Sequence, residues 1–265
     1  MNHIPILGVK VTPATVDSLH RMISQLVWAP GHSFVLSGNI HGINMARKHP
    51  WLRKFYLEAD VVRVDGAGVV LAARLLGYKI PPRITWADWG ELLAGYCAQM
   101  EHSLFFLGGR PWSAEKTVEI MKGRFPTLKI HGYHDGYFTK YGDENDRIIH
   151  LVNSSKSDIL VVGMGMPLQE KWILENYRKM NVSVIMTAGA AFEYLSDSIP
   201  RCPVWMGNLG CEWLFRLYME PCRMALRYLW GNPSFFFSLL TEQLLTQKDR
   251  KSASCSTETT PRTEQ

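Results

Sequence analysis

The sequence predicts an α/β domain on a Rossmann-like, mostly parallel sheet flanked by helices, followed by a C-terminal helical membrane-association appendage. Three observations carry this. Up to about Asp197, short β-branched or apolar runs alternate with longer segments of helical period, the pattern of strands joined by crossover helices. The strand runs are apolar enough to be covered on both sides, as parallel sheets are. After Pro200 the character changes to an aromatic, arginine-rich stretch, RCPVWMGNLGCEWLFRLYMEPCRMALRYLWGNPSFFFSLLTEQLL, with no strand alternation.

In chain order, the predicted strands are Ser33–Ser37, Val61–Val64, Leu104–Leu107, Leu128–Tyr133, Ile159–Val162 and Val182–Met186. Between them lie predicted helices at Thr15–Val27, Ile43–Arg47, Val69–Leu76, Trp86–Met100, Ser113–Arg124, Asn145–Ser154 and Leu168–Met180. The appendage is read as helical and broken near Pro221 and Pro233, because proline removes a helix hydrogen bond and clashes with the preceding turn. From Gln247 the chain reads QKDRKSASCSTETTPRTEQ, polar and Ser/Thr-rich, the composition of a disordered tail. The expected organisation is a catalytic domain over 1–200, an amphipathic appendage over 201–246 and a tail over 247–265.

Composition bounds the function. The chain has 265 residues, 46% of them apolar, with 9 Trp, 10 Tyr and 11 Phe, which excludes a wholly disordered or collagen-like chain. Its net charge of +5 comes from scattered basic residues with no dense Lys/Arg run, so no nucleic acid partner is expected. The longest charge-free run in the C-terminal part, Tyr228–Thr241, is interrupted by Asn232 and Pro233 and falls short of the roughly 20 apolar residues a membrane span needs. The N-terminal segment lacks the pattern of a secretory signal, and the expected compartment is cytoplasmic. Cys97, Cys202, Cys211, Cys222 and Cys255 are odd in number and form no CxxC pair, which favours free thiols over a disulfide framework or a structural metal.

In open α/β sheets ligands collect beyond the carboxyl ends of the strands, and there this sequence is polar and glycine-rich. The post-strand segments are Ser37-Gly38-Asn39, Asp65-Gly66-Ala67-Gly68, Gly108-Gly109-Arg110, Gly163-Met164-Gly165 with Gln169 and Glu170 following, and Thr187-Ala188-Gly189. Glycines before a helix let backbone N–H groups approach a phosphate. They also serve turns that need positive φ with no ligand present, so one pair alone decides nothing, whereas five in register suggest a nucleotide or sugar-nucleotide site. GMGMPL carries Leu168 where GxGxxG needs its third glycine, and GxxxxGK[ST] is absent, which disfavours a nicotinamide dehydrogenase or P-loop NTPase. Neither DxD nor HExxH occurs, so no metal and no cofactor is expected.

Asp65 follows VVRV and precedes glycines that let a ligand come close. A carboxylate so placed can take the proton of an attacking hydroxyl, as displacement at an anomeric carbon requires. The competing reading is a turn former or helix cap. Ser37 and Asn39 carry the same two readings, and His134-Asp135 in GYHDGYF reads as a turn pair.

Taken together, SGNIHGINMA, VDGAGVVLAARLLG, LFFLGGRPWSAEKTVEIMKGRFPTLKIHGYHDGYF, ILVVGMGMPLQEKWI and RCPVWMGNLGCEWLFRLYMEPCRMALRYL resemble the WecB/TagA/CpsF family of bacterial glycosyltransferases, over roughly residues 5 to 230. The resemblance implies inverting transfer of a hexose-type residue from a UDP-sugar to a sugar on a polyprenyl diphosphate, for teichoic acid, common antigen, capsule or exopolysaccharide. It places Asp65 as general base, Ser37 and Asn39 as positioning groups where many members have Thr at the first, and Arg83 and Gln169 as further pocket residues. Two departures stand out. Arg83-Ile84-Thr85-Trp86-Ala87-Asp88 replaces a family pattern close to Arg-Val-Thr-Gly-Thr-Asp, so Trp86 narrows that region. Ser198-Ile199-Pro200-Arg201-Cys202-Pro203 departs from Lys-Arg-Ala-Pro, which affects how Arg201 would meet a diphosphate.

Spacing assigns the appendage a role as well. At 100° per residue Arg216, Arg223 and Arg227 fall within about 40° on one helical face, suited to a lipid diphosphate, while Trp213, Leu217, Leu226, Trp230 and Phe235 to Phe237 would enter the membrane interface. Alternatively, the arginines form a solvated face and the aromatics pack on the catalytic domain. Such exposed aromatics also favour a homo-oligomer. The expected location is the inner face of the cell membrane, held peripherally. Two other classes remain: a nucleotide-cofactor oxidoreductase, which the missing third glycine opposes, and a non-catalytic membrane-docking module.

Overall fold

The structure, a computed structural model, describes the backbone of residues 3–256, and side chains within that range except those of Val204, Asn208, Arg223 and residues 245–256. All the predicted strands form, as β3 (Ser33–Gly38), β4 (Val61–Val64), β5 (Leu104–Gly108), β6 (Ile130–His134), β7 (Ile159–Gly163) and β8 (Val184–Thr187). They make one six-stranded sheet in the order β4-β3-β8-β7-β5-β6, and each pairing is parallel. Successive side chains feed opposite faces. Leu36, Phe105, Leu107, Leu160, Val162 and Ile185 enter one core, and Val35, Leu104, Phe106, Val161, Val184 and Met186 enter the other. Two buried faces explain why the strand runs are apolar without alternation.

The hairpin β1 (Ile4–Ile6) and β2 (Val9–Val11) was not anticipated. Its strands are three residues each, and its turn, Leu7-Gly8, has positive φ at both positions, as a two-residue hairpin turn requires. Just past it, Thr12 N–H donates to Val62 O at 2.9 Å and Thr12 Oγ1 accepts from Val62 N–H at 3.0 Å, so the hairpin's exit shields the β4 edge of the sheet.

The predicted helices are α1 (Val16–Val27), α2 (Ile40–Lys48), α4 (Ala67–Leu75), α5 (Trp86–Met100), α6 (Ser113–Arg124), α7 (Gly142–Ser155) and α8 (Leu168–Asn176), the last continued by a 3₁₀ turn. Their starts are chemically marked: Thr15 and Ser18 form a capping box, and the Asn39 and Thr85 side chains accept N–H bonds at α2 and α5. Two more helices were not anticipated, α3 (Pro50–Glu58) and the short α9 (Ala191–Leu195). Pro50 marks the first turn of α3, where its missing N–H costs nothing.

Beyond Pro200 lie α10 (Val204–Asn208), α11 (Glu212–Met219), α12 (Pro221–Ala225), a π-helical turn over Leu226–Trp230 and α13 (Gly231–Ser256). The chain bends at Glu220, with φ −136° and ψ 63°, so Arg216 and Arg227 do not share one helical face; the Arg223 side chain lies outside the described residues. Pro233 does not break the chain: α13 continues directly from the π-helical turn through it, at the expense of one intrahelical N–H bond. The aromatic run is also divided. Phe235 and Leu239 are buried in the core of the α/β part and Met224 is buried beside the cleft, while Leu226, Trp230 and Phe237 are 81%, 74% and 71% exposed. Asn44 on α2 secures the junction by donating from Nδ2 to Gly231 O at 2.7 Å. Helix α13 runs past Gln247 to Ser256, and the remainder of the expected tail lies outside the described residues. No described helix is long and apolar enough to cross a membrane.

Two side chains at the start of α8 tie it to the loop after β8. Gln169 Oε1 accepts from Gly189 N–H at 3.0 Å, and its Nε2 donates to Glu170 Oε1 at 2.7 Å. Glu170 is buried, and Oε2 has no hydrogen-bond partner. Burial pushes its carboxyl up to about 7, against the opposing effect of the Gln169 bond.

Two stability measurements follow. Because the folded protein holds the Glu170 proton more tightly than the unfolded chain, the unfolding free energy falls as pH rises from 4.5 to about 7; Glu170→Gln should flatten that slope in urea titrations across the range. Phe235→Ala should lower the urea-derived stability by about 3 kcal/mol through the cavity left under α13.

Candidate active site

A cleft of about 970 Å³ opens at the carboxyl ends of the strands, between the sheet and the appendage. Ser37, Asn39, Asp65, Gly109, Gly163, Gly165, Gln169 and Gly189, all proposed from the post-strand segments, line it. Arg216 and Arg227 reach it from the appendage. The parallel topology explains the convergence: every strand delivers its carboxyl end, and so its following loop, to the same edge.

The glycines divide by what would meet a side chain. At Gly108 an added Cβ would collide with the Gly163 backbone on β7, so glycine there serves strand packing. Gly165 and Gly189 have φ of +78° and +61° with nothing within 4 Å of an added Cβ; they shape open loops around the cleft.

At the floor of the cleft lies a charged residue inside the apolar run of β4, which the strand reading passed over. Arg63 is fully buried, with Nη1 3.4 Å from Asp65 Oδ1. Its guanidinium also donates to Ile84 O and, at 2.5 Å, to Ser37 Oγ. It lies 5.5 Å and 5.1 Å from the ring centroids of Trp86 and Trp89. The Ser37 hydroxyl in turn donates to Thr187 O at 3.1 Å, and Trp86 Nε1–H donates to the same carbonyl at 2.9 Å. Ser37 is thereby a junction between strands, its proton already committed. Asn39 Oδ1 is committed as well, accepting from Gly42 N–H at 2.9 Å. The Asp65 side chain stays 20% exposed toward the cleft.

Other proposed residues are engaged elsewhere. Arg83 pairs with Glu212 at 2.6 Å and donates to Gly207 O, and Glu212 also holds Arg216 at 2.8 Å. Arg83 thus binds the appendage rather than lining the cleft. Burial opposes the charge of Arg216, yet Tyr194 and Glu212 raise its pKa, and its guanidinium lies 5.0 Å from the Tyr194 ring. Arg201 reaches Glu91 at 3.5 Å, and Trp213 meets Tyr228 edge-on at 6.0 Å. Glu170 and Gly108 sit behind the lining.

Residues missed from sequence also border the cleft. His41, in the first turn of α2, lines it, and burial together with Arg227 and Lys48 pushes its imidazole down to about 4, neutral at pH 7. Gly136 to Thr139 line the opposite side. The preceding Asp135 does act as a turn former, accepting from Tyr137 N–H at 2.6 Å, but that turn carries cleft wall. Its signal was present in the GYHDGYF glycines, which follow the edge strand β6 as the other loops follow theirs. Among the described residues no group of three or more His, Cys, Asp or Glu side chains converges as a metal site would require.

A family model for the glycosyl transferase WecG/TagA/CpsF family matches residues 4–250. The chain is 27% identical over 216 residues, 82% of each chain, to an N-acetylglucosaminyldiphosphoundecaprenol N-acetyl-beta-D-mannosaminyltransferase of Bacillus spizizenii. It is 29% identical over 186 residues, 70% of each chain, to the protein of the same name in Bacillus subtilis. A third, from Staphylococcus aureus strain MW2, is 27% identical over 223 residues, 82% of this chain and 85% of the relative. The match spans the sheet, the cleft loops and most of the appendage, and it makes this protein a member of the glycosyl transferase WecG/TagA/CpsF family.

Proposed function

We propose that the protein is an inverting glycosyltransferase that moves a hexose-type residue from a UDP-sugar to a sugar carried on a polyprenyl diphosphate, in cell-surface polysaccharide synthesis. The observation that carries this reading is the pairing, in one cleft, of the partly exposed Asp65 carboxylate with Arg216 and Arg227 of the appendage. Relatives named for transfer to an undecaprenyl-diphosphate-linked N-acetylglucosamine support the acceptor class. Membership in a glycosyl transferase family removes the support for an oxidoreductase.

In this mechanism Asp65 accepts the proton of the acceptor hydroxyl as its oxygen bonds to the anomeric carbon. The bond from that carbon to the UDP oxygen breaks on the opposite face, which inverts the configuration. The departing diphosphate gains negative charge, and Arg216, Arg227 and loop N–H groups around Gly165 and Gly189 are the groups suited to stabilise it. Asn39 orients the sugar through its amide Nδ2, because Oδ1 is taken by the cap. In this reading Arg216 and Arg227 balance the diphosphate charge as it develops.

The exposed Leu226, Leu229, Trp230 and Phe237 beside Arg227 suit the interface of the cytoplasmic membrane face, where a lipid-linked acceptor resides. The same apolar surface would support self-association away from lipid.

Asp65→Asn should lower transfer of labelled sugar to a polyprenyl-diphosphate acceptor by about 100-fold or more, while thermal stabilisation by UDP persists. Wild-type turnover in that variant would remove Asp65 as the base. For the membrane, Leu226→Ser combined with Trp230→Ser should abolish flotation with anionic phospholipid vesicles at unchanged melting temperature; undiminished flotation would place the contact elsewhere.

A further inference from the structure

Arg63 is a cation inside a sheet, and its surroundings state what it is for. Removing a guanidinium from water costs several kcal/mol unless it is paired, and a fourth apolar residue would complete Val61-Val62-Arg63-Val64 at no such cost. Its neighbours at Ile84 O, Ser37 Oγ, Trp86 and Trp89 are all neutral. Among the described residues its counter-ion is Asp65, the carboxylate that faces the cleft. Arg63 itself does not line the cleft, so any effect on a reaction passes through Asp65 and Ser37.

We propose that Arg63 is a positioning residue for the transfer: its guanidinium, sealed by Trp86 and Trp89, holds the Asp65 carboxylate aimed into the cleft and fixes Ser37 beside it. This rests on the reading of Asp65 as the base. A buried cation beside a carboxylate lowers the cost of ionising it, and the guanidinium fork fixes direction as well as charge. Burial pushes the Arg63 guanidinium down and Asp65 holds it up. The other groups acting on Asp65 are Arg216 from α11 and Tyr56 from α3, whose hydroxyl is bonded to Ser37 O at 2.9 Å.

The test uses the full chain with Arg63→Met and Arg63→Lys. In Arg63→Met, kcat should fall about 100-fold with little change in KM. Arg63→Lys keeps the charge but not the fork, so its kcat should also stay reduced. It also carries the test if Arg63→Met fails to fold: wild-type kcat in a folded Arg63→Lys would overturn the proposal. The carbon-13 NMR chemical shift of the Asp65 carboxyl, assigned by its loss in Asp65→Asn, reads the contact without substrate. An Asp65 chemical shift unchanged in folded Arg63→Met overturns the role of Arg63 whatever the reaction. Failure of the wild type to transfer any UDP-sugar to a polyprenyl-diphosphate acceptor instead overturns the proposed function, with the chemical shift still deciding the contact.

Discussion

A guanidinium buried at the carboxyl edge of a parallel sheet must be neutralised and hydrogen-bonded where it stands, and meeting that demand organises the floor of the cleft. Arg63 on β4 draws Ser37 of β3, the Ile84 carbonyl and Asp65 into one network. Through Ser37 and Trp86 the network reaches Thr187 at the end of β8. Three adjacent strands and the start of α5 are therefore registered against each other by polar contacts, in a region where apolar packing alone would tolerate sliding. Trp86 closes one side of the guanidinium, so the start of α5 and the buried arginine belong to a single arrangement.

A second ionic hub joins the appendage to this floor. Glu212 on α11 is shared by Arg83 and Arg216, and the paired cations outweigh the cost of burying its carboxyl, keeping it below its ordinary range. Arg83 is thus used to seat the appendage, and the cation delivered into the cleft is Arg216. Phe235 and Leu239 supply the apolar part of the same attachment. With one face committed to the α/β part, the outward residues of the π-helical turn and α13 stay exposed.

How much was legible from sequence follows from which interactions are local. Strand identity depends on runs of apolar side chains, and all six strands of the main sheet were readable for that reason. Capping is local too: the Thr85 side chain accepts an N–H bond just before Trp86, where the helix was expected to start. The β1–β2 hairpin was too short to show a period, and α3 begins with a proline that reads as a breaker unless its first-turn position is known. The three-arginine face failed because it assumed a straight helix through Glu220.

Sequence by itself determined the sheet class, the edge of the sheet where the cleft opens, and several of the residues around it, because parallel topology brings every post-strand loop to one place. Tertiary structure decided the roles among them. It turned Gly108 into a packing residue, gave Arg83 to the appendage, withdrew Glu170 into the core and divided the Phe235–Phe237 run between core and surface. It also revealed Arg63, whose meaning lies in Asp65, Ser37, Ile84, Trp86 and Trp89. Most of these partners are distant in the chain, and long-range pairing of a buried charge leaves no periodic trace in a sequence.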